Sequence, residues 1–200
     1  MADAPETVPH GDPLVHPAPV KPAPDRSAAV IQPEGWRTLL RPSLLITAAI
    51  IVLFDAATKA LILQAIPLYE SVTIIPGMVD FTHVRNTGAA FGLLNTTDLP
   101  MKGAIMIGLA LVAIAAIGAY GATLRPEETI ARWGLALVLG GALGNLIGRA
   151  QLGYVLDFVD VYSGDWHFWA FNVADAAISV GAVLVIFDLL GLRRHASHTV

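Results

Sequence analysis

The stretch FNVADAAISVGAVLVIF, residues 171–187, decides how the chain is to be read. It carries one charge, Asp175, near its start. Continued to Leu192, it is an apolar run long enough to cross a bilayer, since a spanning helix takes roughly 20 residues. A carboxylate inside such a run is costly and marks a functional site by default. The residues three and four positions away on a helix are Phe171, Asn172, Ile178 and Ser179, and none offers a countercharge.

Composition agrees with a membrane setting. Of the 200 residues, 55% are hydrophobic and 14% charged, where soluble domains carry about a quarter charged. Mean hydropathy is +0.64. The net charge of −4 with no basic stripe argues against a nucleic-acid partner. The absence of cysteine excludes disulfides, zinc–thiolate sites and cysteine nucleophiles. The six histidines, at 10, 16, 83, 167, 195 and 198, show no metal-ligand spacing, so neither metal nor cofactor is expected.

Residues 1–35 hold eight of the thirteen prolines and read as a disordered, cytoplasmic Pro-rich tail. The tail has no early apolar stretch, which argues against a cleaved signal peptide. Four apolar segments follow, at about 43–66, 103–124, 133–148 and 171–192, within a membrane domain of 36–194; residues 195–200 are a second tail. The third segment is short for a span, and its Gly and Ala suit close helix packing. The fold class expected is therefore membrane all-α, with four transmembrane helices and a small β element.

Basic residues set the orientation. Arg37, Arg41, Arg125, Arg132, Arg193 and Arg194 fall on one side, against Arg85, Lys102 and Arg149 on the other. The bias puts both termini in the cytoplasm. VDFTHVRN (79–86) alternates as a strand does, after a turn at Pro76-Gly77, and would lie outside. Residues 150–170 form a second outer connection whose Tyr, Phe and Trp suit the headgroup zone.

Depth then sorts the polar residues. Asp175 lies about 6 Å below the outer end of its span at 1.5 Å per residue. Arg149 and Asn145 sit at the outer end of the third span, Asp55 and Lys59 in the outer half of the first, and Asn86 ends the outer strand. Asp157 lies in the apolar run YVLDFV of the outer connection. Each has a structural reading beside a functional one. Asp55 and Lys59 are either an intrahelical ion pair or part of a site. Arg149 either snorkels or binds. Asn145 and Asn172 are helix–helix bonds, caps or site residues. Asp160 and Asp165 read as solvated loop residues, and Asp188 as an interface charge near Arg193 and Arg194. Two carboxylates at one site cannot both ionise cheaply. The charged one can take a proton from water and the neutral one can polarise a carbonyl, which is peptide hydrolysis without metal, serine or cysteine.

HVRNTGAAFGLL (83–94), GGALGNLIGRAQLGYVLDFVDVY (140–162), FNVADAAISVG (171–181) and FDAATKA (54–60) together resemble the signature blocks of bacterial lipoprotein signal peptidases, over roughly residues 43–192. The resemblance implies a membrane aspartyl protease of the bacterial inner membrane that cuts prolipoproteins before a diacylglyceryl-modified cysteine. It implies Asp157 and Asp175 as the catalytic pair, with Asn86, Asn145, Arg149, Asn172, Asp55 and Lys59 as substrate-binding or supporting residues. It also implies four transmembrane helices, an extracytoplasmic β-cradle, an outer helix or loop over the site, and a site at the outer face. Its partners would be the modified signal peptides and membrane lipid, and a monomer is the default expectation. One position departs from the pattern: GNLIGR has Gly148 where the family usually has Asp beside the arginine. A catalytically impaired lipopeptide binder and a proton-coupled transporter are the rival readings.

Overall fold

The computed structural model describes residues 41–88, 100–125 and 127–191. The Pro-rich segment 1–35, the tail 195–200, and Arg37, Arg193 and Arg194 lie outside them. The element order is α1 (Pro42–Ala65), β1 (Ser71–Ile75), β2 (Val79–Asn86), α2 (Lys102–Thr123), α3 (Thr129–Leu152), β3 (Val155–Ser163), β4 (Trp166–His167) and α4 (Val173–Leu189). Helices α1, α2 and α3 are long and apolar enough to cross a membrane. Helix α4 has 17 residues, shorter than the run expected from hydropathy.

The buried stripe of α1 is Leu44, Ala48, Asp55, Lys59 and Ile62, at helical spacing, so its two charges face inward. Leu53, Phe54 and Leu61 face outward, as in lipid-exposed helices. Helix α3 packs against all three other helices. Its buried face is Ala131, Arg132, Gly134, Leu135, Ala136, Gly140, Gly141, Gly144 and Asn145. Small residues there let backbones approach closely. A Cβ on Gly134 would stand 2.7 Å from the Gly181 carbonyl oxygen, and one on Gly181 would stand 2.5 Å from that of Gly134. Neither position admits a side chain without a shift of backbone.

The third apolar segment is longer than hydropathy suggests: 24 residues, not 16. At its start, Arg132 belongs to the helix and is buried, not in a connecting loop. At its end, Gly148 does not interrupt the helix. The terminator is Gly153, with φ 79°, whose N–H donates to the Arg149 carbonyl.

The β element is also larger than expected. Among the described residues the strand at 79–86 is one of four, in the order β1-β2-β3-β4 with every neighbour antiparallel. The connection 150–170 supplies β3 and β4. Its Val, Phe and Tyr content is the strand signal that an overall apolar reading hides. Between Phe81 and Val84 the register of β2 against β3 shifts, the mark of a bulge. Ile62 and Ile66 at the end of α1 pack on Leu156 and Phe158 of β3, and Phe81 meets Phe158 edge to face at 5.9 Å. That apolar cluster fixes the sheet to one end of the helix bundle. The outer helix or loop implied by the resemblance is not among the described residues; 89–99, between β2 and α2, lie outside them.

Candidate active site

The site grows from five elements, α1, β2, α3, β3 and α4. Helix α4 begins with a capping box: the Asn172 side chain accepts from the Asp175 N–H at 3.0 Å, and the Asp175 carboxylate accepts from the Asn172 N–H at 3.2 Å. Such a box satisfies two orphan donors of the first turn and typically contributes ~1 kcal/mol. A purely structural part for Asp175 would end there. Its other oxygen, however, accepts from Asn145 of α3 at 2.8 Å.

Asp157 arrives from β3. Phe171 makes backbone hydrogen bonds with Phe158 and Val159, so β3 is tied to the residue just before the α4 cap. Both faces of the strand are covered there: Val155, Leu156, Asp157 and Phe158 are all buried. Asp157 accepts from Asn172 Nδ2 at 2.8 Å and from Asn86 Nδ2 at 3.0 Å. The Gly88 N–H donates to Asn86 Oδ1, which turns the amide NH2 toward the carboxylate. Burial, and after it the neighbouring Asp175, push the Asp157 carboxyl up to about 7, against the opposing effect of the two amide donors and Lys59.

Asn172 is completely buried and touches both acids, one through its amide and the other through its backbone. Asn145 is the second bridge. Its Oδ1 accepts from Lys59 Nζ at 3.0 Å and from Asn172 Nδ2 at 3.2 Å. An ammonium only donates, so the NH2 of Asn145 must face Asp175. Lys59 is also paired with Asp55 at 2.7 Å, and Asp55 accepts from the Ala174 N–H at 3.0 Å. The structural reading of this pair is therefore incomplete by itself. It is an intrahelical ion pair, and it holds the α4 N-terminus and Asn145 as well.

Arg149 stands at the edge of this group. Its Nη2 donates to the Gly88 carbonyl at 2.9 Å, while its Nε is buried without a hydrogen-bond partner among the described residues. A Cβ on Gly148 would meet only the Tyr154 carbonyl oxygen, at 3.6 Å, so that glycine serves no close helix contact. Asp160 is not in a loop; it lies on β3 and pairs with His167 at 3.0 Å. The partners expected for Asp188, Arg193 and Arg194, lie outside the described residues.

The six residues Asp55, Lys59, Asn145, Asn172, Asp175 and Asp157 thus form one hydrogen-bonded cluster, which Asn86 joins from the sheet. Sequence reasoning missed the backbone links: Ala174 to Asp55, and Phe171 to β3. The spacing Asn172-x-x-Asp175 was the one signal available, since an Asx residue three before an acid marks a helix start.

Fold and site together define a membrane protein in which two carboxylates share a buried amide network at one end of a helix bundle. The sequence matches the family described as Signal peptidase (SPase) II over residues 47–191, and the chain belongs to that family. A lipoprotein signal peptidase of Geobacter metallireducens is 41% identical over 152 residues, which cover 76% of this chain and 93% of that one. One from Geobacter sulfurreducens is 43% identical over 140 residues, covering 70% and 86%. A solved structure described as a bacterial membrane enzyme, determined by the in meso method at 2.3 Å, superposes with TM-score 0.66 at 27% identity over 79% of this chain and 93% of that one. A second, at 1.9 Å, gives TM-score 0.64 at 27% identity over 74% and 92%.

Proposed function

We propose that this signal peptidase II-type protease removes signal peptides from prolipoproteins by cutting before a diacylglyceryl-modified cysteine, with Asp157 and Asp175 as a water-activating pair. The observation that carries the assignment is Asn172, which hydrogen-bonds both carboxylates at once. Two acids held through one residue cannot both ionise cheaply, so one keeps its proton. Burial and the neighbouring Asp175 push the Asp157 carboxyl up to about 7, which suits a pair that holds one proton near neutral pH. The titration belongs to the pair as a whole.

The charged acid takes a proton from water as the oxygen attacks the scissile carbonyl carbon. The neutral acid gives its proton to the carbonyl oxygen. As the tetrahedral diol collapses, the acid that took the water proton gives it to the leaving nitrogen, the C–N bond breaks, and the other acid takes a proton back from a diol hydroxyl, so that the pair again holds one proton. In this reading Asn86 and Arg149, on the β2 side, hold peptide carbonyls or lipid phosphate. Asp55, Lys59, Asn145 and Asn172 keep the acids in place.

The same reading takes α4 as a fourth span. Its 17 residues stand at the low end of the usual range. With both termini cytoplasmic, as the distribution of basic residues favours, the sheet and the acids lie at the outer face of the inner membrane. Acyl chains of the substrate then stay in lipid while the peptide reaches the pair. The test is cleavage of a diacylglyceryl-modified peptide beside its unmodified twin, with and without chelator. The modified peptide alone should be cut, at the bond before the cysteine, and chelator should change nothing. Equal cleavage of both peptides would remove the lipid from the reading, and metal-restorable loss would remove the two-acid mechanism.

A further inference from the structure

His83 lies on β2 within the bulge, is 4% exposed, and has no part in the chemistry above. Its Nδ1 is 2.9 Å from the Ile66 carbonyl oxygen, the residue that ends α1. A carbonyl only accepts, so Nδ1 carries the hydrogen. Its Nε2 is buried and has no partner among the described residues. The backbone around it is equally engaged: His83 N donates to the Glu70 carbonyl at 3.1 Å, and its own carbonyl accepts from Tyr69 N at 2.9 Å. Thr82 Oγ1 adds a bond to the Glu70 carbonyl at 3.3 Å. Four hydrogen bonds thus clamp the bulge to the segment leaving α1, three residues before Asn86.

We infer that His83 is a positioning residue for cleavage: its Nδ1–H clamps β2 to the end of α1 and so sets where Asn86 presents its amide to Asp157. The chain of contacts is closed. Helix α1 reaches Asp175 from its later half, through Lys59 and Asn145, and reaches Asp157 from its end, through His83, β2 and Asn86. The spacing of the two acids is therefore referred to one helix at two points. The side chain that makes the second point can be replaced by any group presenting an N–H at the Nδ1 position, and the unpartnered Nε2 contributes nothing.

The inference rests on Asp157 and Asp175 being the catalytic pair, so Asp157→Asn is measured in the same assay. The variants are His83→Asn, which keeps an N–H near the Nδ1 position, His83→Gln, which moves it toward the Nε2 position, and His83→Phe, which removes it. Each is assayed with the diacylglyceryl-modified peptide, and its thermal midpoint in detergent is recorded. His83→Phe should lower kcat by ~10–100-fold, the scale of misplacing a reacting group by about 1 Å, with KM held. His83→Asn should restore kcat and His83→Gln should not. If His83→Phe fails to fold, the Asn and Gln pair decides by the same order. Gln equal to or better than Asn, or a loss that appears in KM, or one that tracks the thermal midpoint, overturns the inference. A dead His83→Phe beside an active Asp157→Asn would instead place the failure in the catalytic pair.

Discussion

Lys59 and Asp55 are 6% and 1% exposed and form a buried ion pair. Removing one partner of a buried pair leaves an uncompensated charge and costs about 3–5 kcal/mol. Lys59→Met should therefore lower the thermal midpoint sharply, and it should lower kcat too, because Asn145 loses the donor that orients it toward Asp175. Normal turnover in a folded Lys59→Met protein would separate the ion pair from the site. Asp157 gives the pH dependence. An ordinary carboxyl titrates near 4, and folded Asp157 at about 7. Between those values the folded chain keeps a proton that the unfolded chain has released. The stability this group contributes is complete below about 4 and is lost as pH rises through about 7. Thermal midpoints from pH 5 to 8 should fall with pH in the parent and fall less in Asp157→Asn. Identical slopes in the two proteins would show that Asp157 is not the group responsible.

At the scale of elements, α3 carries the most exacting contacts. The carbonyl oxygen of Gly134 lies where a Cβ on Gly181 would be 2.5 Å away, with Val138 Cγ2 at 2.7 Å. Overpacking of this kind costs about 1–3 kcal/mol, so Gly181→Ala should lower stability by that order and disturb the α4 cap that holds Asp175. Gly148→Ala is the contrast. The added methyl meets one oxygen at 3.6 Å, and a helix-interior glycine costs up to ~1 kcal/mol relative to alanine, so stability should rise slightly. A matched pair of melting curves in one detergent checks both, and the same sign for the two variants would contradict the packing described here. The difference between these glycines is not visible in sequence. Both sit in helical runs rich in small residues, and the direction of the missing side chain decides what each would meet. The strand β3 was hidden for a related reason. YVLDFVDVY is buried on both faces at its start, so the polar–apolar alternation that reveals a half-exposed strand is lost. Asp175 was legible because a lone acid in an apolar run has few explanations. Asn172 was less so, since a cap and a site residue look alike until both acids are in view.

Across the whole molecule, polar groups distant in sequence are brought to one end of a bundle whose outer surfaces are apolar. Helices α1 and α3 advance together, as the contacts Ala48–Gly140 and Asp55–Gly144 show, while α4 runs the other way, with Gly134 against Gly181 and Gly141 against Ala174. That arrangement puts the later part of α1, the later part of α3 and the start of α4 at the same level, beside the sheet that delivers Asp157. In the proposed reading, a buried Asp157 and a half-buried Asp175 at the outer membrane face suit a substrate that is half lipid and half peptide. The central claim is that both acids act in the chemical step, and replacing each by its uncharged isostere tests it most directly. Asp157→Asn and Asp175→Asn keep the side-chain volume but cannot accept a proton from water near neutral pH. Each purified variant should retain its fold and bind the diacylglyceryl-modified peptide, yet show no cleavage in a single-turnover assay. Near-parental single-turnover cleavage by either variant would contradict the account.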